Sequence, residues 1–405
     1  MNCAQHSDIS GAAILSAGPA ASTGQAPFHA GLLSEFDRED IGERALGVDE
    51  RSGYRSILIT GGAGFIGSFM VRKMITLYPE YHIVVVDKLD YCGSLNNLRA
   101  VKEAPNFQFI RGDITSADFI RFVLHHLKID AILHFAAQTH VDNSFGDSFE
   151  FTKNNVLGTH VLLEAAKEHG IKRFIHVSTD EVYGEVPHDK PACREETILA
   201  PSNPYSATKA AAECLARAYH ESFGVPVIIT RSNNVYGPYQ YPEKACSKFI
   251  CQLLRNQPCT IHGDGSNSRR YIYAADVANA IDIIFHRGTL GQVYNIGSQY
   301  EITNLQLAHK LIELFAESRG EDAKVAIQRD IVFVGDRQLN DRRYAVNYQK
   351  LLALGWQQTV AFSAGIRKTI EWYRQHGETW WDDITDALIA HPGKRIAPVP
   401  TGWWQ

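Results

Sequence analysis

An α/β fold built on a doubly wound parallel sheet is what this chain predicts, and three observations carry the prediction. Apolar, β-rich runs recur from residue 55 to about residue 231 without the polar alternation of a half-solvated strand. Longer helix-like stretches separate most of these runs. A glycine cluster, "ITGGAGFIGS" (59–68), lies directly between the first run and the first helix. Continuous apolar strands alternating with helices mean a parallel sheet covered on both faces.

The strands are expected at "SILIT" (56–60), "HIVVVD" (82–87), "FQFI" (107–110), "AILHFAA" (131–137), "RFIHVS" (173–178) and "VPVIITR" (225–231). Helices are expected over "SFMVRKMITLY" (68–78) and "TKAAAECLARAYHESFG" (208–224). Beyond about residue 235 the elements shorten and Pro, Gly and charged residues interrupt them. Residues 55–235 therefore read as a Rossmann-type dinucleotide-binding domain. Residues 236–405 read as a smaller C-terminal substrate-binding region, interleaved with the first and placed over the carboxyl edge of the sheet, where open α/β sheets bind ligands. Residues 1–54 are rich in Ala, Ser and Gly, then charged, and lack hydrophobic periodicity. They are expected to form a mobile extension with no part in the chemistry.

Composition excludes several classes. The 405 residues carry a formal net charge of −5, so no basic footprint points to nucleic acid. No apolar run approaches the roughly 18 residues of a membrane span, and no basic region precedes an apolar stretch at the N-terminus. The seven cysteines are odd in number, scattered and without CxxC spacing, which favours free thiols, a reducing compartment and hence a cytoplasmic location. No metal is expected.

In the glycine cluster the spacing fits both Gly62-x-Gly64-x-x-Gly67 and Gly61-x-x-Gly64-x-x-Gly67. Such glycines allow a tight turn, close approach of backbone to a pyrophosphate and close helix–strand packing. Asp87 ends the next strand 20 residues after Gly67, where a carboxylate can accept both adenosine ribose hydroxyls and would repel a 2′-phosphate. NAD is therefore favoured over NADP, although Lys88 stands next to that carboxylate. Asp113 in "RGDI" is expected near the adenine amino group. Phe65, Ile66, Ile114, Ala136 and Ala137 complete the expected cofactor lining.

Two further stretches carry chemistry. In "PYSATKAAAE", Tyr205 and Lys209 stand at i and i+4 and share a helix face. A phenol of pKa about 10 is a poor base at neutral pH. A neighbouring ammonium and an oxidised nicotinamide would lower it. In "VSTDEVYGEV" (177–186), Asp180 and Glu181 follow Thr179 at the end of an apolar strand. Two nearby acids in unlike surroundings can divide into one protonated and one ionised group. Neighbours on a continuing strand point to opposite faces, so both acids reach one substrate only if the chain leaves strand geometry near Thr179. His134 and His176 alternate within strands and are expected in the core.

These stretches, with "VVDKLDYCGSLNNL", "HFAAQTHVDNS", "RSNNVYGPYQYPEK" and "IHGDGSNSRRYIY", resemble the extended short-chain dehydrogenase/reductase family and, within it, the nucleotide-sugar 4,6-dehydratases over about residues 55–390. The wording of "DKLDYCGSLNNL" and "QTHVDNSFGDSFEFTKNNVLGTHVLLEA", and the Trp-rich tail, look most like the UDP-glucose type of plants and fungi. The resemblance implies C4 oxidation of a UDP-glucose, loss of water across C5 and C6, and return of the hydride to C6. It gives Tyr205, assisted by Lys209, the C4 hydroxyl proton, Thr179 the C4 oxygen, Glu181 the C5 proton and Asp180 the departing C6 hydroxyl. The acid and base roles also follow from the chemistry, because hydroxide leaves poorly and the C5 proton is acidic only beside a ketone.

For the nucleotide the resemblance implies contacts from Asn234, Arg269, Asn304 and Arg337. Lys244, Asn340 and Ser144 are further candidates, and arginine suits bidentate phosphate contacts. The dTDP type has Arg-Asp-Trp where this chain has Arg269-Arg270-Tyr271, and usually His where Asn340 stands. A dTDP-glucose dehydratase is the first alternative. A 4-epimerase or decarboxylase needs no acid at C6, and a non-catalytic NAD-binding protein could lose Tyr205, Lys209 or the acids. Rhamnose synthesis would need a later epimerase/reductase, expected as a separate partner because the dehydratase region fills the chain. A homodimer through helices near 150–168 and 205–223 is implied by the resemblance.

Overall fold

The computed structural model describes residues 14–15, 38, 40–42 and 53–390. Six strands follow the expected order: β1 (Ser56–Thr60), β2 (His82–Asp87), β3 (Phe107–Arg111), β4 (Ala131–His134), β5 (Arg173–Thr179) and β6 (Val227–Ser232). Later come β7 (Asn234–Tyr236), β8 (Cys259–His262), β9 (Ser268–Tyr273), β10 (Val293–Ile296), β11 (Glu301–Thr303) and β12 (Ile331–Val334). The main sheet runs β3-β2-β1-β4-β5-β6-β10, all parallel. This is a doubly wound order whose chain reverses direction between β1 and β4, the switch point where such sheets take ligands. Its inner strands are buried on both faces, as continuous apolar runs require, whereas β3 at the side is only partly buried.

Helices α1 (Phe65–Leu77), α2 (Ala117–His126), α3 (Gly158–His169) and α4 (Pro204–Phe223) connect the first six strands. Met70, Val71 and Met74 of α1 pack on one face with Ile57, Ile59, Ile83 and Val85. Leu162 and Leu163 of α3 pack on the other with Leu58, Val84 and Ile132. The later part contributes α5 (Ala245–Leu254), α6 (Ala274–Arg287), α7 (Asn304–Arg319) and α8 (Phe362–His376). Its small sheets, β11-β9-β7 and β12-β8, stand over the carboxyl edge. The chain returns from this region to give the main sheet its seventh strand, β10, and the helix α6, whose Ile281 and Ile284 join the same core as Ile57.

Strand β4 stops at His134, three residues short of the expected run. The reason is a backbone crossing: a Cβ on Gly61 would stand 2.5 Å from the Ala136 nitrogen, so the segment after β4 passes under the glycine turn instead of extending the ladder. Helix α4 starts earlier than expected, because Asn203 and Ser206 form a capping box and Pro204 occupies the first turn. It ends at Gly224 in the left-handed region. His134 and His176 are buried as expected; His134 lies between the Thr60 and Thr159 hydroxyls at 2.8 and 2.9 Å, and burial pushes it down to about 3.

Parts of residues 1–54 contact this body. Residues Ile14–Leu15 pair antiparallel with β3, covering what would be an open sheet edge. Asp40 is buried and accepts from the Tyr273 hydroxyl at 2.8 Å, and Lys73 donates to the Ile41 carbonyl at 2.9 Å. The rest of the expected extension lies outside the described residues. Among the described residues no helix is long and apolar enough to cross a membrane.

A buried ion pair ties the sheet to α4. Arg231 on β6 meets Glu213 on α4 at 2.6 Å with both side chains sealed from solvent, and the Arg231 guanidinium also donates to the Tyr183 hydroxyl at 2.6 Å. Tyr183 in turn donates to Asn295 of β10 at 2.8 Å. Removing one member of such a pair strands the other charge in the core. Arg231→Met is therefore expected to lower unfolding free energy by about 3–5 kcal/mol, read as a fall in the urea midpoint.

Candidate active site

Parallel register brings the chemistry to one edge. Thr60 pairs with His134 and Thr179 with Ser232, so the glycine turn, the segment 135–140, the acid pair and Asn233–Asn234 emerge side by side. They line a cavity of about 390 Å³ closed from above by residues of β8, β9, α5 and the 337–344 segment.

At one end of the cavity the cradle has the properties a dinucleotide needs. Gly61 has φ +70°, a conformation that favours glycine, and its Cβ position is already filled by Ala136 backbone. A Cβ on Gly67 would collide with the Gly61 carbonyl, so only glycine lets α1 start this close to β1. Gly64 caps α1 without a side-chain acceptor, leaving first-turn amides for a phosphate. Asp87 ends β2 with its oxygens held by the Ala63 amide at 3.0 Å and the Leu89 amide at 2.9 Å. Burial nevertheless raises it above the ordinary carboxylate range. Lys88 is engaged by Asp90 at 3.2 Å and Glu150 at 3.3 Å, so its charge is paired with carboxylates already present. Gly61, Gly64, Phe65, Ile66, Gly67, Asp87, Ile114, Ala136 and Ala137 all line this end. Asp113 does not; its Oδ1 accepts from both the amide and hydroxyl of Thr115 at 2.8 Å, an Asx turn that faces its own loop.

The acid pair meets the geometric condition set by the sequence. Strand β5 ends at Thr179, and a short 3₁₀ turn, Asp180–Tyr183, begins at once. Thr179 caps it by accepting from the Glu181 amide at 3.3 Å. Both acids therefore border the same cavity in unlike surroundings. Asp180 is 3% exposed, and its Oδ2 accepts from Asn233 Nδ2 at 2.6 Å. Burial, then the neighbouring Glu181 charge, push Asp180 up to about 7; the Asn233 hydrogen bond and the Arg269 charge act the other way. Glu181 is more open, with Asn203 Nδ2 at 3.5 Å from its Oε2.

Tyr205 lies in the first turn of α4, buried, and borders the same cavity as Thr179. Its phenol is shifted upward, by burial and then by the Glu181 charge. The Lys209 ammonium reaches the Val177 carbonyl at 2.7 Å. Burial pulls Lys209 down to about 8, with Glu213 opposing.

The far end of the cavity collects the substrate candidates Asn234, Lys244, Arg269, Asn304, Arg337 and Asn340. Lys244 donates to the Thr139 carbonyl at 2.6 Å, and Arg269 stacks on Tyr344 at 4.6 Å. Arg337 bridges Asp142 at 3.0 Å and Asn340 at 2.7 Å. Arg270 points elsewhere, to Glu301 at 3.0 Å. Ser144 is fully buried, off the cavity wall, and donates to the Val141 carbonyl at 2.6 Å; it is a satisfied turn hydroxyl in this arrangement. Sequence reasoning missed Asn233 and Asn203, the amide partners of the two acids. Asn233 was detectable in principle, because β5 and β6 end in register and residues 180 and 233 are the next positions.

A doubly wound sheet, a glycine cradle with a terminal carboxylate, and a Tyr-x-x-x-Lys helix beside a Thr-Asp-Glu turn define a dinucleotide-dependent enzyme of the extended short-chain dehydrogenase/reductase class. The family described as GDP-mannose 4,6 dehydratase matches residues 58–369, and the chain belongs to it. A trifunctional UDP-glucose 4,6-dehydratase/UDP-4-keto-6-deoxy-D-glucose 3,5-epimerase/UDP-4-keto-L-rhamnose-reductase of Arabidopsis thaliana is 52% identical over 350 residues, covering 86% of this chain and 51% of that protein. The chain thus spans about half the length of these plant relatives. The human dTDP-D-glucose 4,6-dehydratase is 46% identical over 84% of this chain and 95% of its own. A Streptomyces venezuelae dTDP-glucose 4,6-dehydratase, solved with NAD bound, superposes with a TM-score of 0.75 at 38% identity, over 81% of this chain and 99% of that one.

Proposed function

We propose that this chain is an NAD-dependent UDP-glucose 4,6-dehydratase, which converts UDP-glucose to UDP-4-keto-6-deoxyglucose. The observation that carries the reading is the Asp180–Glu181 turn, which sets a buried, proton-holding acid and a more open one on a single cavity beside Tyr205. Support for uridine comes from the plant relatives' 52% identity, against 46% for the human dTDP-glucose enzyme.

Gly61, Gly64, Gly67 and Asp87 would hold NAD. When bound, it supplies a hydride acceptor for C4, a hydride donor for C6 and a positive charge that favours the Tyr205 phenolate. Tyr205 takes the proton of the C4 hydroxyl, and Thr179 hydrogen-bonds the same oxygen. The C4 ketone makes the C5 proton acidic, and Glu181 removes it. Asp180 gives its proton to the C6 hydroxyl, which leaves as water. Glu181 returns its proton to C5 as C6 is reduced. The proton gained by Tyr205 replaces the one lost by Asp180, so water is the only other product. Arg269, Arg337, Lys244, Asn234, Asn304 and Asn340 are the groups for the nucleoside diphosphate.

Parallel assays with UDP-glucose and dTDP-glucose test the reading. A 4-keto-6-deoxy product should form from UDP-glucose at the higher kcat/KM with no net reduced cofactor. Faster turnover of dTDP-glucose would move the assignment to that base, and recovery of a C4 epimer would end it. The pH dependence follows from Asp180. Its acid form is the active one, so the rate is expected to fall as pH rises through about 7.

The expected separate epimerase/reductase partner is not required: in the Arabidopsis relatives the three named activities belong to one protein. We place the enzyme in the cytoplasm, consistent with unpaired Cys92, Cys193, Cys214, Cys246, Cys251 and Cys259, and as a homodimer. Exposed Phe149, Leu157 and Phe223, on or beside α3 and α4, are the apolar surface such a dimer would cover. Light scattering should give twice the chain mass for the native protein and the single mass for Leu157→Glu. Cell fractionation checks the compartment.

A further inference from the structure

We propose that Asn233 is a positioning residue that fixes on which oxygen Asp180 carries its transferable proton. The inference rests on the reading of Asp180 as the acid. Asn233 lies in the single-residue step between β6 and β7, 2% exposed. Its Oδ1 accepts from the Ser298 backbone amide at 3.1 Å. A backbone amide can only donate, so the orientation of the Asn233 carboxamide is determined without ambiguity. Its Nδ2 is then the group that meets Asp180 Oδ2 at 2.6 Å, and it can only donate. Oδ2 must therefore offer a lone pair. A donor fixed at Oδ2 favours the form of the acid with its proton on Oδ1, the oxygen 3.5 Å from the Thr179 hydroxyl, which can donate to the carboxylate and turn to accept from the acid.

The clamp is rigid. The Asn233 amide is bound to the Ile296 carbonyl of β10 at 3.0 Å, and Gly297 packs so closely that a Cβ there would stand 3.0 Å from Asn233 Oδ1. Charged and titratable groups facing Asp180 are Glu181 on its own turn, Arg269 from β9, Tyr205 from α4 and Cys193 from the preceding loop. None of these is in the position to orient the carboxyl that the 2.6 Å amide contact holds. A carboxyl that could rotate would spend time with its proton aimed at the protein instead of the sugar.

The donated hydrogen bond also favours the carboxylate, which gives a readout that a merely structural asparagine would not move. The probe is the infrared carboxyl stretch of Asp180, isolated by difference against Asp180→Asn and titrated with NAD bound and no sugar. In Asn233→Ala it should titrate about one pH unit higher than in the native protein. The alkaline limb of kcat should move the same way. The value of kcat should fall about ten- to a hundredfold, KM should move far less, and reduced nicotinamide should build up during turnover. Asn233→Asp keeps the acceptor for the Ser298 amide and serves if the alanine variant does not fold. Its two facing carboxyls should share a proton and again raise the titration. An unmoved titration in whichever variant folds, or kcat and KM changing together without build-up of reduced cofactor, overturns the proposal. Full-rate dehydration by Asp180→Asn would instead remove the acid assignment itself, so the two failures are distinguishable.

Discussion

Asp180→Asn is expected to oxidise C4 of UDP-glucose and then stall, with reduced nicotinamide accumulating and water loss slowed by about 10²–10⁴-fold. The size follows from what the residue does in the transition state. Hydroxide is a poor leaving group, and an amide cannot protonate it. The fold should survive, since the amide oxygen of the variant can still accept from Asn233 Nδ2, which now meets Asp180 at 2.6 Å. Stability gives a second check. Asp180 is pushed up to about 7, so the folded protein binds a proton that the unfolded chain would release, and the native fold is penalised as pH rises through that value. The variant carries no such group and should be at least as stable as the native protein at pH values above 7. Normal dehydration by the variant, followed by the appearance of keto product, would contradict the acid role.

Tyr205→Phe should fail one step earlier. Removing the phenolic oxygen takes away the acceptor for the C4 hydroxyl proton, so kcat/KM should fall by about 10²–10⁴-fold with no reduced nicotinamide at any time. The ring itself stays in place: it packs edge-on against Phe151 at 6.3 Å in a buried first turn. Binding of the sugar nucleotide, measured by calorimetry, should change little beside the loss in rate. Asp180→Asn and Tyr205→Phe thus differ in the colour of the stalled enzyme, the first reduced and the second oxidised. Rapid formation of reduced cofactor by Tyr205→Phe would show that another group takes the proton.

Much of this was legible in the chain. Strands β1, β2 and β5 were readable because parallel strands buried on both faces leave unbroken apolar runs such as "HIVVVD". The glycine turn was readable because backbone crowding at Gly61 and Gly67 demands glycine at that spacing. The turn at Thr179 was posed by the sequence as a condition, since adjacent acids cannot share a face in a strand, and the 3₁₀ turn meets it.

What stayed hidden depends on contacts between distant segments. The end of β4 at His134 is set by Gly61 crossing Ala136, and neither run encodes it alone. Ser144 and Asp113 are site candidates by type, and in the structure local turns at Val141 and Thr115 engage their side chains. The upward shift of Tyr205 comes from burial and the Glu181 charge, which the i, i+4 spacing to Lys209 does not reveal. Asn233 needed the register of β5 against β6 before it could be set beside Asp180.

The central claim is that one hydride leaves C4 and comes back at C6 of the same sugar. Turnover of UDP-glucose deuterated at C4 in ordinary water, with the product read by NMR and mass spectrometry, tests it directly. The account predicts that the deuteron is found on C6 of the 4-keto-6-deoxy sugar, with ordinary hydrogen at C5. Deuterium lost to solvent, or retained at C4, would contradict it.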